Sequence, residues 1–395
     1  MHQINRRALA KRGALALMAS ALPSSFSRGS ANATNTVKLG ILHSLTGTIA
    51  IAERSVVEAE LLAIDMINKK GGVLGKKIQP IIEDGASDPA TFAEKAKRLL
   101  EKDQVAAVVG CYTSAARKAV LPVFEKLNGL LYYPTYYEGL ERSPNIIYTG
   151  QEATQSSIAA TEWLHKNRGS SFYFVGSDYI WPRTTIKLCK STLRRLHAEV
   201  VGENYYPLGH IEFSSVINKI KTAKPRVIVN CVVGGSNVAF FKQLKASGLL
   251  DGNTTILSLA VTEEEVSGIG NENAAGTLSC MSYFQSLDNV SNNTFVRLFK
   301  DQYGPERVTG DTLACAYTAV LLWAMAAEKA QSFDVQAIVA ESSEMEVDAP
   351  EGRVTVHKDN HHLWKRTRIG KFKEDGQVEI LYESPLLEPK PFPVL

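Results

Sequence analysis

A chain of 395 residues exceeds what one hydrophobic core organises, so two lobes are expected. With 45% hydrophobic and 22% charged residues it has the balance of a soluble globular protein, which argues against a membrane bundle or a disordered chain. The formal charge of +3 comes from the N-terminus: Arg6, Arg7, Lys11, Arg12 and Arg28 stand in residues 1–33 with no acid, and taking these five away leaves −2, so the basic balance gives no argument for nucleic acid.

That N-terminus reads as a secretory signal. Met1 to Gly13 is basic, Ala14 to Leu22 is an apolar run of small residues, and Ala31-Asn32-Ala33 has the A-x-A cleavage pattern. The apolar run is far shorter than the ~20 residues a membrane span needs. Asn5 to Lys11 carries the paired arginines of a twin-arginine signal, although a Sec signal also has a basic start. The mature chain is expected to begin near Thr34, in the periplasm. Cys111, Cys189, Cys231, Cys280 and Cys315 are scattered singly, with no metal spacing. The odd count leaves at least one thiol free, and the apolar neighbours of Cys231 and Cys315 read as core; the spacing leaves any pairing open. Export of a folded chain would suit reduced, buried cysteines.

From Val37 the pattern alternates strand and helix, which calls for α/β lobes with doubly wound parallel sheets. Val37–Leu42 reads as a strand, followed by the loop His43 to Thr48 and a helix with Leu61, Ile64 and Ile67 on one face. Gly71-Gly72 stops that helix; Gly71 to Lys77 has the wrong spacing for a phosphate loop. Lys77–Glu83 is the next strand, and Pro89 starts a helix running to Lys102.

The stretch Gly110 to Gly139, GCYTSAARKAVLPVFEKLNGLLYYPTYYEG, is the centre of the pattern. The apolar run Val105–Val109 reads as a buried strand, and it breaks at Gly110-Cys111-Tyr112-Thr113-Ser114 into a helix start with two N-cap residue types. Gly129–Tyr132 is the next strand, ending in Tyr133-Pro134-Thr135-Tyr136-Tyr137. Carboxyl ends of adjacent strands are where open α/β sheets bind ligands. A single tyrosine there more often packs a loop than lines a site. Four of them with two hydroxyl residues point to a small-molecule pocket.

Asn145–Gly150 reads as a short strand and the first crossing to a second lobe. There βα units recur: helix Gln155–Asn167, strand Ser171–Val175, helix from Pro182, strand Val200–Tyr206, helix Ser214–Ala223, strand Arg226–Asn230, helix Ser236–Ser247 and strand Thr255–Leu259. The strand ends carry Ser177-Asp178-Tyr179-Ile180-Trp181 on a turn before Pro182, and Val233-Gly234-Gly235 before an N-cap Ser236. The glycine pair serves either a tight turn or ligand contact. Thr277–Tyr283 reads as a strand returning to the first lobe, completed by helices Asn293–Tyr303 and Asp311–Lys329, and the tail from Val354 is strand-like. The lobes are expected as 37–150 with 284–345, and 151–283 with 346–395.

GCYTSAARKAVLP, YYPTYYEG and GSDYIWPR resemble the amide and urea branch of the type I periplasmic binding proteins, over Val37 to the C-terminus. That branch holds urea-binding components of ABC importers and the amide sensor that regulates amidase expression. The resemblance implies a Venus-flytrap of two lobes joined by three crossovers. It also implies ligand contacts at Tyr112, Thr113, Ser114, Tyr133, Thr135 and Tyr179, with Val233 near an apolar contact. Two positions depart from the amide sensor: Tyr136 replaces a proline and Trp181 a tyrosine, so both are expected at the ligand. Urea binders tend to carry Val-Gln where Thr135-Tyr136 stand, and share Thr113-Ser114.

Chemistry and resemblance together lead to a binding protein for urea or a short-chain amide. Tyr, Ser and Thr hydroxyls both donate and accept, and aromatic faces cover a planar core. Charged residues are few at these strand ends, Asp178 and Glu138 apart, which fits an amino acid zwitterion less well. No enzyme is expected: GxSxG, HExxH and GxGxxG are absent, and nothing joins His43 to Ser114 as base and nucleophile. Asn360-His361-His362 lacks a third metal ligand, and no cofactor is implied. Export favours an ABC importer with its permease as partner, as monomer or dimer; a receptor feeding a membrane sensor is the alternative.

Overall fold

The computed structural model describes residues 35–250 and 252–394; the signal expected over residues 1–33 lies outside them. The first lobe opens with strands β1 (Thr36–His43), β2 (Lys77–Asp84), β3 (Val108–Gly110), β4 (Leu131–Tyr133) and β5 (Ile146–Tyr148), alternating with helices α1 (Ala50–Lys69), α2 (Pro89–Arg98) and α3 (Ser114–Leu127). The five strands form one parallel sheet in the order β2-β1-β3-β4-β5, so β1 and β3 end side by side. Pro89 starts α2 as the sequence indicates, behind Asp88, whose side chain accepts from Thr91 N. The apolar faces of β1 and α1 meet in a core around Leu39, Ile41, Val56 and Leu62.

The second lobe contains α4 (Ser157–Asn167), β6 (Ser171–Ser177), α5 (Ile180–Arg195), β7 (Glu199–Tyr206), α6 (Ser214–Ala223), β8 (Val227–Cys231), α7 (Ser236–Ser247), β9 (Thr255–Ser258), α8 (Glu263–Ile269), α9 (Asn271–Ala274) and β10 (Leu278–Met281). The chain then supplies α10 (Val290–Tyr303), α11 (Asp311–Ala330), α12 (Val335–Ser342), β11 (Glu346–Ala349), β12 (Gly352–Val356), β13 (Leu363–Trp364), β14 (Arg368–Phe372) and β15 (Val378–Glu383). The larger sheet runs β15-β14-β10-β9-β8-β6-β7, parallel from β10 to β7 and antiparallel at β14 and β15.

Three sequence expectations shift. The strand near Thr277–Tyr283 does not return to the first sheet: β10 pairs with β9 and β14, and the chain leaves the second lobe only after Met281. Residues after 346 do not go at once to the second lobe. β11, β12 and β13 form a small sheet whose Val347, Val354 and Leu363 share the core of the first, and only β14 and β15 join the larger one. Helix α5 begins at Ile180, so Trp181 lies in its first turn and Pro182 is its third residue. A proline is tolerated there because the first N–H groups of a helix have no intrahelical acceptor.

The crossing segments are tied to one another. Gln155 Nε2 donates to Leu363 O at 2.9 Å, Gln151 Nε2 to Arg366 O at 3.3 Å, and Thr367 Oγ1 to Gln155 O. Buried Lys365 pairs with Glu351, and Arg368 donates to the carbonyls of Ser282 and Glu351. All five cysteines are buried and unpaired.

Candidate functional site

Gly110 ends β3 against β1, and a Cβ there would stand 2.2 Å from Leu42 O, so only glycine lets the two strand ends lie so close. The chain then turns through Cys111, and Thr113 caps α3 by accepting from Ala116 N at 3.1 Å. Ser114 is the first helical residue, and one turn on, Arg117 lies on the same face, fully buried.

Arg117 is a residue the motifs did not single out. Its Nε donates to Glu141 Oε1 at 2.8 Å, Nη2 to Glu138 Oε1 at 3.0 Å and Nη1 to Ser114 Oγ at 3.2 Å. Its guanidinium also covers the rings of Tyr133 and Tyr137, at 5.0 and 4.3 Å. Ser114 donates in turn to Glu138 Oε2 at 2.5 Å. The i, i+3 spacings of Ser114 with Arg117 and of Glu138 with Glu141 were legible, but their convergence depends on β4 returning beside β3. Burial alone would raise the Glu141 pKa; Arg117 and Lys118 outweigh it and hold the carboxyl below its ordinary value.

The other hydroxyls of this lobe are also engaged. Tyr133 donates to Tyr112 O at 3.0 Å and Thr135 to Cys111 O at 3.1 Å, which stitches the end of β4 to the end of β3. The Tyr112 and Tyr136 hydroxyls lie 3.1 Å apart. Across the cleft, Tyr136 meets Trp181 with ring centroids 5.3 Å apart, and Trp181 is only 4% exposed. The structure is therefore closed at this point. Tyr179, half-buried, is the N-cap of α5, and among the described residues its hydroxyl has no hydrogen-bond partner. Burial pushes its pKa well up, with Tyr136 and Tyr133 adding to the shift.

Tyr112, Tyr136, Tyr179 and Trp181 thus come together, with Ser114, Tyr133 and Thr135 packed around them on the first lobe. Thr113 and Val233 are placed by other contacts, Val233 within the same buried cluster as Tyr112, Tyr136 and Trp181. The Thr113 hydroxyl accepts from Ala116 N at the cap, and buried Val233 gives its N–H to Ser177 Oγ at 3.0 Å. Two expectations about the turn after β8 change as well: Gly235 is the N-cap and Ser236 the first helical residue. Gly234, at φ 67°, sits against Thr48 and Ile49 of the first lobe, so the glycine serves close approach between lobes. Asp178 is exposed and paired with Arg183 at 2.5 Å.

Glu265 also escaped the motif reading. It is buried on α8, and its Oε2 accepts from Thr262 N at 2.8 Å and Thr262 Oγ1 at 2.6 Å. After burial, its charge is the largest influence raising the Tyr136 pKa, and it acts on Tyr112 too, so it faces the same space. The strand-end rule applied to β9 would have found it.

His43 forms no pair with Ser114. Its Nδ1 bonds Glu53 and its Nε2 bonds Glu60, each at 2.8 Å, inside the first lobe. His362 is buried against Tyr148, rings 4.1 Å apart; its Nε2 meets the Tyr137 hydroxyl and its Nδ1 the Asn360 carbonyl at 2.6 Å. Among the described residues no three His, Cys, Asp or Glu side chains are grouped to hold a metal ion.

Residues 37–395 match the model of the periplasmic binding protein domain. The chain is 25% identical over 331 residues to the Leu/Ile/Val-binding protein BraC3 of Rhizobium johnstonii, covering 81% of this chain and 87% of that one. It is 22% identical to Leu/Ile/Val-binding protein homolog 7 of Brucella melitensis over 90% of this chain and 93% of the other. A stretch of 116 residues is 35% identical to a limonene hydroxylase of Geobacillus stearothermophilus, but it takes in only 21% of that protein. Among solved structures, a solute-binding protein from Rhodopseudomonas palustris in complex with 3,4-dihydroxybenzoic acid superposes with a TM-score of 0.81 at 23% identity, covering 90% of this chain and 98% of that one. A leucine-binding protein from Thermotoga maritima gives 0.78 at 21% identity, covering 88% and 98%.

Proposed function

This chain belongs to the periplasmic binding protein family, and from that premise we propose that it is the solute receptor of an ABC importer and closes on urea or a short-chain aliphatic amide. The observation that carries the ligand class is the direction of the hydrogen bonds on the first lobe. Ser114, Thr135 and Tyr133 each give their only proton to a protein acceptor, at 2.5, 3.1 and 3.0 Å. What remains to each hydroxyl is acceptor capacity, which matches N–H groups. The Tyr112–Tyr136 pair uses one of its two protons internally and keeps the other, and Tyr179 keeps its own. These are donors for a carbonyl. A planar H2N–C=O group presents both kinds of edge, and Tyr136 with Trp181 covers its face.

A benzoate, the kind of ligand bound by the Rhodopseudomonas relative, fits this wall poorly. Its carboxylate could take the protons of the tyrosine hydroxyls, but it has no N–H for the acceptors of Ser114, Thr135 and Tyr133 and would stand near buried Glu265, while the neighbouring cation, Arg117, is already shared between Glu138 and Glu141. A branched-chain amino acid, bound by relatives such as BraC3, is the second reading. Glu265 favours it as a counter-charge for an ammonium group.

Calorimetry on the mature chain with urea, formamide, acetamide, propionamide, leucine and benzoate separates the readings. The best tiny ligands gain about 1.5 kcal/mol per heavy atom, so four-atom urea is expected near −6 kcal/mol, tens of micromolar. Binding of leucine or benzoate with none of urea or the amides would overturn the amide reading. Loss of uptake in a deletion strain marks an importer; loss of a transcriptional response with uptake intact marks a receptor feeding a sensor.

A further inference from the structure

A cavity of about 480 Å³ that shares no lining residue with the tyrosine cluster lies between α8, α9, the β14–β15 turn and the end of α10. Glu263, Glu272, Glu306 and Asp375 line it, against a single lining cation, Lys300. Glu263 is 2% exposed. Its Oε1 accepts from Gln285 N at 2.7 Å, and its Oε2 has no hydrogen-bond partner among the described residues. A carboxylate oxygen buried without a donor is costly, and a ligand N–H reaching it would remove that cost.

The walls come from both lobes. Glu263, Glu272 and Asp375 belong to the second, Lys300 and Glu306 to the first. Two lining residues, Glu263 and Gln377, are held by Gln285, on the segment that crosses between the lobes: its Nε2 donates to Gln377 Oε1 at 3.0 Å, and its Oε1 accepts from Thr309 N at 2.9 Å. The rim is partly committed, since Asp375 pairs with Lys373 at 3.0 Å and Glu272 accepts from Asn273 at 3.0 Å. Glu306 has no ion pair among the described residues. The carboxylates are too dispersed to ligate one metal ion. They suit a cation whose charges are spread along a chain and whose ends each carry several N–H donors.

We propose that this groove is a second ligand site, for an organic cation with two ammonium groups, one seated on Glu263 and the other among Glu306, Glu272 and Asp375. The site is separate from the amide cleft and does not depend on what that cleft binds.

The test is calorimetric titration of the mature chain with 1,4-diaminobutane at fixed physiological ionic strength. Saturable one-to-one binding is expected, weakened at least about tenfold in Glu263→Gln. The double variant Glu272→Gln/Glu306→Gln, both exposed and outside the core, is expected to weaken binding while leaving the fold intact; it serves as the test even where Glu263→Gln disturbs α8. Glu379→Gln, on exposed β15, should bind as the wild type does. Absence of saturable heat, equal binding by all variants, or calcium chloride binding in preference to the diamine would each overturn the proposal.

Discussion

Removing the Arg117 side chain would leave Glu138 and Glu141 buried without their main cation, beside tyrosine rings that the guanidinium now covers. Breaking a buried pair from one side costs about 3–5 kcal/mol, so Arg117→Met should lower the guanidinium chloride midpoint by that equivalent. Arg117→Lys keeps the charge but not the planar fork, and should fall between the two. Ser114→Ala acts differently. It removes an acceptor from the proposed ligand wall, and the expected loss is about 1–3 kcal/mol of binding, read by calorimetry with urea or acetamide. His43 gives a pH signature. Burial by itself would lower its pKa, but Glu60 and Glu53 outweigh this and hold it raised to about 10. A folded-state pKa above the unfolded 6.5 means that the imidazolium stabilises the fold fully below pH 6.5, and that this stability is lost as pH rises towards 10. Glu60, also raised by burial, works in the same direction. Stability should therefore decline across that window, by at most about 1.4 kcal/mol per pH unit for the one group, and His43→Gln should flatten the slope.

At the scale of elements, the sequence was most legible where local signals coincide with packing. Helices Ser214–Ala223 and Ser236–Ser247 appear with the bounds that periodicity indicated. The ends of β3 and β4 could be placed because an apolar run gives way to N-cap and turn residues. The start of α5 could not, since Pro182 fits a first helical position as well as it fits the third. Nor could the small sheet of β11, β12 and β13, because an alternating strand does not reveal which core its apolar face will meet. In the site, the hydroxyl and aromatic residues of the motifs could be read, but the buried Arg117 network could not, since its pairing with Glu138 and Glu141 is set by neighbours distant in sequence; Glu265 carries no motif and is reached only by following the chain beyond the end of β9. Gly150 shows how one backbone position holds the strand ends together. A Cβ there would lie 2.2 Å from the carbonyl carbon and oxygen of Thr135, neither of which can swing aside. Gly150→Ala should displace Thr135 and Tyr136 and weaken ligand binding by about tenfold or more. Gly235→Ala, with nothing within 4 Å, should bind as the wild type does.

For the whole molecule, the decisive contact is the one between lobes. Tyr136 and Trp181 approach to 5.3 Å only because the ends of β4 and β6 face one another, and a ligand that supplies contacts to both sides shifts the population toward that arrangement. Opening must separate these rings and wet the indole, so Trp181 should report closure by fluorescence. The other tryptophans have partners that a rotation of lobes leaves in place: Trp323 is in the first core beside Phe333, Trp163 lies against Tyr382 within the second lobe, and Trp364 stacks on His357. Adding ligand to the wild type should change the emission, and Trp181→Ala should abolish most of that change. Trp181→Ala should also weaken binding by about 1–3 kcal/mol if the indole that covers Tyr136 covers the ligand as proposed. Trp181→Phe separates the two effects, since it restores an aromatic cover without restoring the signal. A ligand-induced change that persists in Trp181→Ala with unaltered affinity would place closure, and the ligand, elsewhere on the molecule.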